Sequence, residues 1–130
     1  TTDVVFPSMF GAFQAPILDN GYLYGNSSGL LTCVKWDDGK VMWPAKPTTL
    51  DKRFLGIGGS ILRFGGDKLI CLSENGTLAL VKATPEALEK LTVLKRFIEG
   101  DQLWSTPLID NGKLVIKAKD ELIAYDIQGK

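Results

Sequence analysis

The chain reads as an all-β protein: about three four-stranded antiparallel blades of a partial β-propeller, with one short helical turn near residues 84–91. Two observations carry that expectation. A hairpin phrase occurs three times, as Ala15-Pro16-Ile17-Leu18-Asp19-Asn20-Gly21-Tyr22-Leu23-Tyr24, as Ser60-Ile61-Leu62-Arg63-Phe64-Gly65-Gly66-Asp67-Lys68-Leu69-Ile70, and as Thr106-Pro107-Leu108-Ile109-Asp110-Asn111-Gly112-Lys113-Leu114-Val115. Pro16 and Pro107 open matching runs 91 positions apart, two units of about 45 residues, which is the period of four-stranded propeller blades. A polar turn and an apolar run then follow each phrase, and their matching leucines, Leu31, Leu78 and Leu122, recur at intervals of 47 and 44. The unit is constant and its loops vary.

Each unit divides into strands at its turn residues. In the first, Ala15–Leu18 is a short apolar run, and Asp19-Asn20-Gly21 is a hairpin signal because Asn-Gly takes positive φ at little steric cost. Tyr22–Asn26 follows, Ser28-Gly29 turns the chain into Leu30–Lys35, and Asp37-Asp38-Gly39 leads to Lys40–Trp43, which Pro44 and Pro47 end. The second unit gives Ser60–Phe64, Lys68–Ser73 and Thr77–Ala83. There Thr84-Pro85-Glu86 has an N-cap candidate, Pro at the first helical position and an anion where the helix dipole favours one, so one or two helical turns are expected over 84–91. Thr92–Ile98 is then the fourth strand. The third unit gives Ser105–Ile109, Lys113–Lys117 and Leu122–Ile127, with no outer strand after them.

The expected organisation is one partial propeller domain over 1–130. Blade one spans 11–47, blade two 56–98 and blade three 103–130, while 1–10, with Val4-Val5-Phe6, is a candidate strand of a preceding blade. A blade without its outer strand offers unpaired backbone groups, and three blades leave two end faces to cover, so association is expected. The partners foreseen are further propeller blades or a second copy of the chain.

Bulk properties narrow the function classes. Fifteen basic and fifteen acidic residues cancel, and no run of like charge suggests nucleic-acid binding or an anionic membrane surface. No stretch is long and apolar enough to insert in a membrane. The start, Thr1-Thr2-Asp3, lacks both an initiator Met and a signal-peptide pattern, which points to a longer parent chain. Cys33 and Cys71 lie in different units among apolar neighbours and read as buried small hydrophobes.

With the repeat laid out, the segment from Leu30 to Trp43 resembles the pyrroloquinoline-quinone (PQQ)-like propeller repeat: Gly, an apolar run, Ala-Leu-Asp, two variable residues, Thr-Gly-Lys, two apolar residues, Trp. Gly29, Gly39, Lys40 and Trp43 match it, while Lys35 replaces the Asp and Asp38 the Thr. Ala124-Tyr125-Asp126-Ile127-Gln128-Gly129-Lys130 matches again, keeps the Asp and ends before the Trp. Leu78–Glu86 with Leu88, Leu91, Phe97 and Trp104-Ser105-Thr106-Pro107 is similar to the closing repeats of bacterial polyvinylalcohol dehydrogenase-like or outer-membrane assembly-factor-like propellers. The resemblance covers residues 11–130. It implies a location in the periplasm or outside the cell.

In quinoprotein dehydrogenases of that family PQQ sits at the propeller axis beside Ca²⁺, an Asp base and often a vicinal Cys pair. Cys33 and Cys71 are not adjacent, and no Glu/Asn/Asp trio forms a recognisable ligand motif, so none of these roles transfers to a residue here. The chain also has no His, the commonest general base. Asp19, Asp37, Asp38 and Asp110 read as turn carboxylates. Lys35-Trp36-Asp37-Asp38-Gly39 is too poor in alternate carboxylates for a Ca²⁺ loop, and Gly56-Ile57-Gly58-Gly59-Ser60 lacks the Lys-Ser/Thr of a phosphate loop. Trp43 and Trp104 read as packing residues between blades, Trp36 as an exposed ring, and Arg53, Arg63 and Arg96 as surface ion-pair partners.

No catalytic, cofactor-binding or metal-binding residue is therefore assigned. The expectation is a non-catalytic binding or scaffolding module, with a protein or polymer as its ligand. Two alternatives stand beside it: part of a PQQ-dependent alcohol dehydrogenase whose other blades hold PQQ and Ca²⁺, and a carbohydrate- or polymer-binding propeller.

Overall fold

The computed structural model describes residues 15–27, 29–43, 54–56, 58–99, 103, 105–118 and 120–127. Eleven strands lie among them, in three sheets paired antiparallel throughout. Sheet 1 runs β1 (Ile17–Asp19), β2 (Tyr22–Ser27), β3 (Leu30–Lys35) and β4 (Val41–Trp43) side by side. Sheet 2 repeats that meander with β5 (Ser60–Phe64), β6 (Lys68–Leu72), β7 (Leu78–Ala83) and β8 (Leu88–Leu94). Sheet 3 has β9 (Leu108–Asp110), β10 (Lys113–Lys117) and β11 (Leu122–Asp126), and no fourth strand follows among the described residues. The architecture is all-β and blade-like, as the repeat requires. Val4-Val5-Phe6, Trp104 and the side chain of Trp43 lie outside what the structure describes.

Local chemistry places the hairpins. Asp19 pairs with Tyr22 across Asn20-Gly21, whose φ values are 51° and 81°, and Asp110 pairs with Lys113 across Asn111-Gly112 at 53° and 73°. Two consecutive positive φ values define the two-residue turn whose twist matches that of the flanking strands, and Asn-Gly reaches it with little strain. The second unit uses Gly65-Gly66-Asp67 between Phe64 and Lys68 instead.

The repeat extends to individual hydrogen bonds. An N–H at or just past the end of the third strand donates to a carbonyl in the first hairpin turn in every sheet: Trp36 to Gly21, Ala83 to Asp67 and Ile127 to Gly112, each at 2.8 Å. Irregularities repeat as well. The β3–β4 ladder shifts register between Cys33 and Val34, and the β7–β8 ladder shifts between Leu80 and Val81, 47 positions later. Leu55, leading into sheet 2, donates its N–H to Gly29 O at 3.1 Å; Ile98, leading into sheet 3, donates to Gly76 O at 3.1 Å, and Gly76 again follows Gly29 by 47.

One element differs from the sequence expectation. Residues 84–91 form no helical turn; Thr84–Ala87 closes a tight turn in which Thr84 N–H donates to Ala87 O at 3.0 Å and Ala87 N–H to Thr84 O at 3.2 Å. The chain then returns as β8 over Leu88–Leu94, earlier than the expected Thr92–Ile98. The residues that start a helix also suit a turn, because Pro85 fixes φ near the value both need. The open edge of β7 decides between them. A strand at 88–94 satisfies that edge, with Ala83 facing Leu88 and Leu78 facing Leu94, whereas a helix would leave it bare.

The sheets stack face to face in chain order. Alternation in sheet 2 shows how: Ile61, Leu69, Cys71, Ala79, Val81 and Ala83 pack with Tyr24, Leu31 and Cys33 of sheet 1. Their neighbours Ile70 and Leu72, with Leu62, Phe64, Leu78 and Leu80 beside them, pack with Leu114, Ile116 and Ala118 of sheet 3. Successive side chains of a strand point to opposite faces, so a strand covered on both sides reads as a continuous apolar run, as Leu69-Ile70-Cys71-Leu72 does. Leu55, Ile98 and Leu103, all buried, fill the cores from the connections.

Candidate functional site

Two surfaces place several side chains together: a cleft between sheets 1 and 2, and the outer face of sheet 3. The cleft opens where the β1–β2, β5–β6 and β7–β8 turns meet. Its volume is about 590 Å³, and Asp19, Tyr24, Arg63, Asp67, Thr84 and Pro85 are among its walls. Arg63 Nη2 lies 3.1 Å from Asp19 Oδ1 and so links β5 to β1, although the arginine is half exposed. Such a pair in water contributes at most about 1 kcal/mol. Asp67 Oδ1 and Oδ2 lie 3.6 Å from Lys68 Nζ and 3.7 Å from Lys82 Nζ.

Burial sets the protonation of Tyr24 and of the two cysteines. Tyr24, whose side chain is hydrogen-bonded to Cys33, has its hydroxyl pKa raised, first by burial and then by the neighbouring Cys33. Burial also pushes the Cys33 thiol up to about 11, against a smaller lowering by the Tyr24 hydrogen bond. Cys71, on the same interface, is pushed up to about 12 by burial alone. Both cysteines are free, buried and protonated at neutral pH, as their apolar flanks predict, and neither is a nucleophile there.

The remaining polar side chains near the sheet ends hold the backbone. Asn26, 2% exposed, donates from Nδ2 to Gly56 O and Gly59 O at 2.8 Å each, and its Oδ1 accepts from Gly29 N–H at 2.7 Å. Glu74 Oε2 accepts from Gly58 N–H at 3.1 Å. Gly56, Gly58 and Gly59 thus lead into β5, clasped from sheet 1 and from the β6–β7 turn. Asp38 Oδ1 accepts from Lys40 N–H at 3.0 Å, the turn role expected of it. Ser60 Oγ is buried and finds no hydrogen-bond partner among the described residues. Neither the Asn26 clasp nor the cleft is visible in the sequence, since each joins residues thirty or more positions apart.

Among the described residues, no three Cys, Asp or Glu side chains converge to hold a metal ion. Cys33 and Cys71 stand on separate sheets, and Asp19 and Asp67 are occupied by Arg63 and lysines. These residues do not fit a PQQ–Ca²⁺ centre. No protein-family model matches the chain, and no curated protein matches it.

The outer face of sheet 3 differs in kind. Alternation sends Leu114 and Ile116 inward and leaves Leu108, Val115 and Ala124 in one row across β9, β10 and β11, facing away from sheet 2. Leu122 lies beside them. Leu108 is 53% exposed and Leu122 73%. Their repeat equivalents in sheet 1, Ile17 and Leu31, pack into the first core, where Leu31 is 1% exposed.

Proposed function

We propose that this chain is a non-catalytic binding or scaffolding module built from PQQ-like propeller blades. The outer face of sheet 3 carries the reading: at positions where sheets 1 and 2 bury apolar side chains, it offers Leu108, Val115, Leu122 and Ala124 to another surface. Large apolar side chains grouped on one exposed face mark an interaction site more often than a catalytic one. The polar groups argue the same way. Asn26, Glu74 and Asp38 hold turns, both thiols stay protonated, and among the described residues no three thiols or carboxylates converge on a metal site.

Incubation with PQQ and Ca²⁺ tests the reading. Absorbance of the cofactor and melting temperature of the protein are expected to stay unchanged at saturating cofactor. A saturable shift in either would overturn it in favour of a quinoprotein fragment.

A further inference from the structure

We infer that Asn20-Gly21 and Asn111-Gly112 are sites of spontaneous covalent modification, deamidating to aspartate and isoaspartate in the folded protein, while the third Asn-Gly pair, Asn75-Gly76, is held back by its fold. The inference is independent of the scaffolding reading. Its chemistry needs only the chain and water. The glycine amide nitrogen attacks the asparagine side-chain carbonyl carbon, a new C–N bond closes a succinimide ring, and the side-chain nitrogen leaves as ammonia with the proton that the glycine nitrogen gave up. Water then adds to one of the two ring carbonyls and breaks its bond to the ring nitrogen, leaving aspartate or isoaspartate. One water enters, one ammonia departs, and nothing is oxidised or reduced. Glycine makes the attack easiest, because no Cβ shields its nitrogen.

The structure separates the three pairs. Asn20 and Asn111 are exposed and hold the first central position of their hairpin turns, with Asp19 paired to Tyr22 and Asp110 to Lys113 on either side. Among the described residues no hydrogen bond holds their side-chain amides or the N–H groups of Gly21 and Gly112. Two positive φ values place each turn in the type I′ class, and rotation of the single Asn–Gly peptide carries it to type II′, whose first central residue has ψ of about −120°. At that angle the glycine nitrogen eclipses the asparagine Cβ and comes within reach of Cγ. The flanking ladder pair stays closed. Asn75-Gly76 differs at each point. Gly76 is buried and its N–H donates to Ser73 O at 3.1 Å, while Asn75 Oδ1 accepts from Ser73 Oγ and from Thr77 N–H, the latter at 3.1 Å. Attack there requires the β6–β7 turn to open, against the Ile98 N–H bonded to Gly76 O at 3.1 Å. Where conversion does occur it reaches beyond the turn. Isoaspartate routes the backbone through Cβ and adds a methylene to a two-residue turn, displacing Gly21 O from Trp36 N–H or Gly112 O from Ile127 N–H.

Peptide mapping by mass spectrometry tests the inference on the full chain, incubated at mildly alkaline pH in heavy-oxygen water so that only newly hydrolysed sites carry the label. In the native protein Asn20 and Asn111 are expected to convert at least about tenfold faster than Asn75, because reaction at Asn75 waits on local opening of its turn. In denaturant all three should convert at similar rates, since each is then an unrestrained Asn-Gly pair. Equal rates at the three sites in the native protein would overturn the inference. So would native Asn20 and Asn111 that stay unlabelled while the denatured chain converts, and so would a tenfold gap that persists in denaturant, which would place its cause in neighbouring sequence and not in the fold. None of these results touches the PQQ and Ca²⁺ test, whose failure would instead remove the scaffolding reading.

Discussion

Asn26 Nδ2 donates to Gly59 O across 2.8 Å, fastening the second strand of sheet 1 to the residue before the first strand of sheet 2. With Gly56 O and Gly29 N–H it completes three hydrogen bonds from one buried side chain. A net hydrogen bond contributes about 1 kcal/mol, and buried groups left without partners cost more. Asn26→Ala is therefore expected to lower unfolding free energy by about 3 kcal/mol, and Asn26→Asp by a similar amount, since its carboxylate cannot donate to the two carbonyls. Chemical denaturation monitored by tryptophan fluorescence measures both; a change below about 1 kcal/mol would show that the clasp is dispensable.

Gly76 sits in the β6–β7 turn with φ +91°, and a Cβ there would collide with the Ile98 carbonyl oxygen, part of the connection to sheet 3. Gly76→Ala is expected to destabilise by at least about 3 kcal/mol, because strained φ and a backbone clash add. Gly66→Ala is the control. A Cβ at Gly66 meets open space, and that substitution should stay within about 0.5 kcal/mol of wild type. Equal effects at the two glycines would contradict the docking of Ile98 on this turn.

The buried thiols give a pH dependence with a definite sign. In the unfolded chain a thiol ionises near 9, whereas burial holds Cys33 near 11 and Cys71 near 12. Between those values the unfolded chain releases protons that the folded chain keeps, so stability falls as pH rises above 9. Below 9 the two cysteines contribute no slope. Cys71→Ala should show a shallower fall in melting temperature between pH 8 and 10 than wild type, and native protein at pH 8 should alkylate slowly with iodoacetamide until denaturant is added. Rapid labelling of the native protein would place the thiols at the surface.

The blades were legible because their signals are local. Asn-Gly at 20–21 and 111–112, and the apolar runs ending at Val34, Val81 and Tyr125, need only a few neighbouring residues to act. Thr84-Pro85-Glu86 was ambiguous for the same reason: locally it suits a helix start and a turn equally, and only the distant edge of β7 decides. The cleft depends on Arg63 reaching Asp19, 44 positions away, and the Asn26 clasp on a carbonyl 33 positions away. No local pattern encodes either contact. The outer face of sheet 3 lies between these cases, since the repeat identifies Leu122 with Leu31 while only stacking order reveals which copy is left uncovered.

Hydroxyl-radical footprinting of the three equivalent leucines tests that stacking order most directly. Leu31 and Leu78 are expected to be modified slowly and Leu122 rapidly. Modification of Leu31 as fast as that of Leu122, or slow modification of Leu122, would contradict a stack of three blade-like sheets ending in an open apolar face.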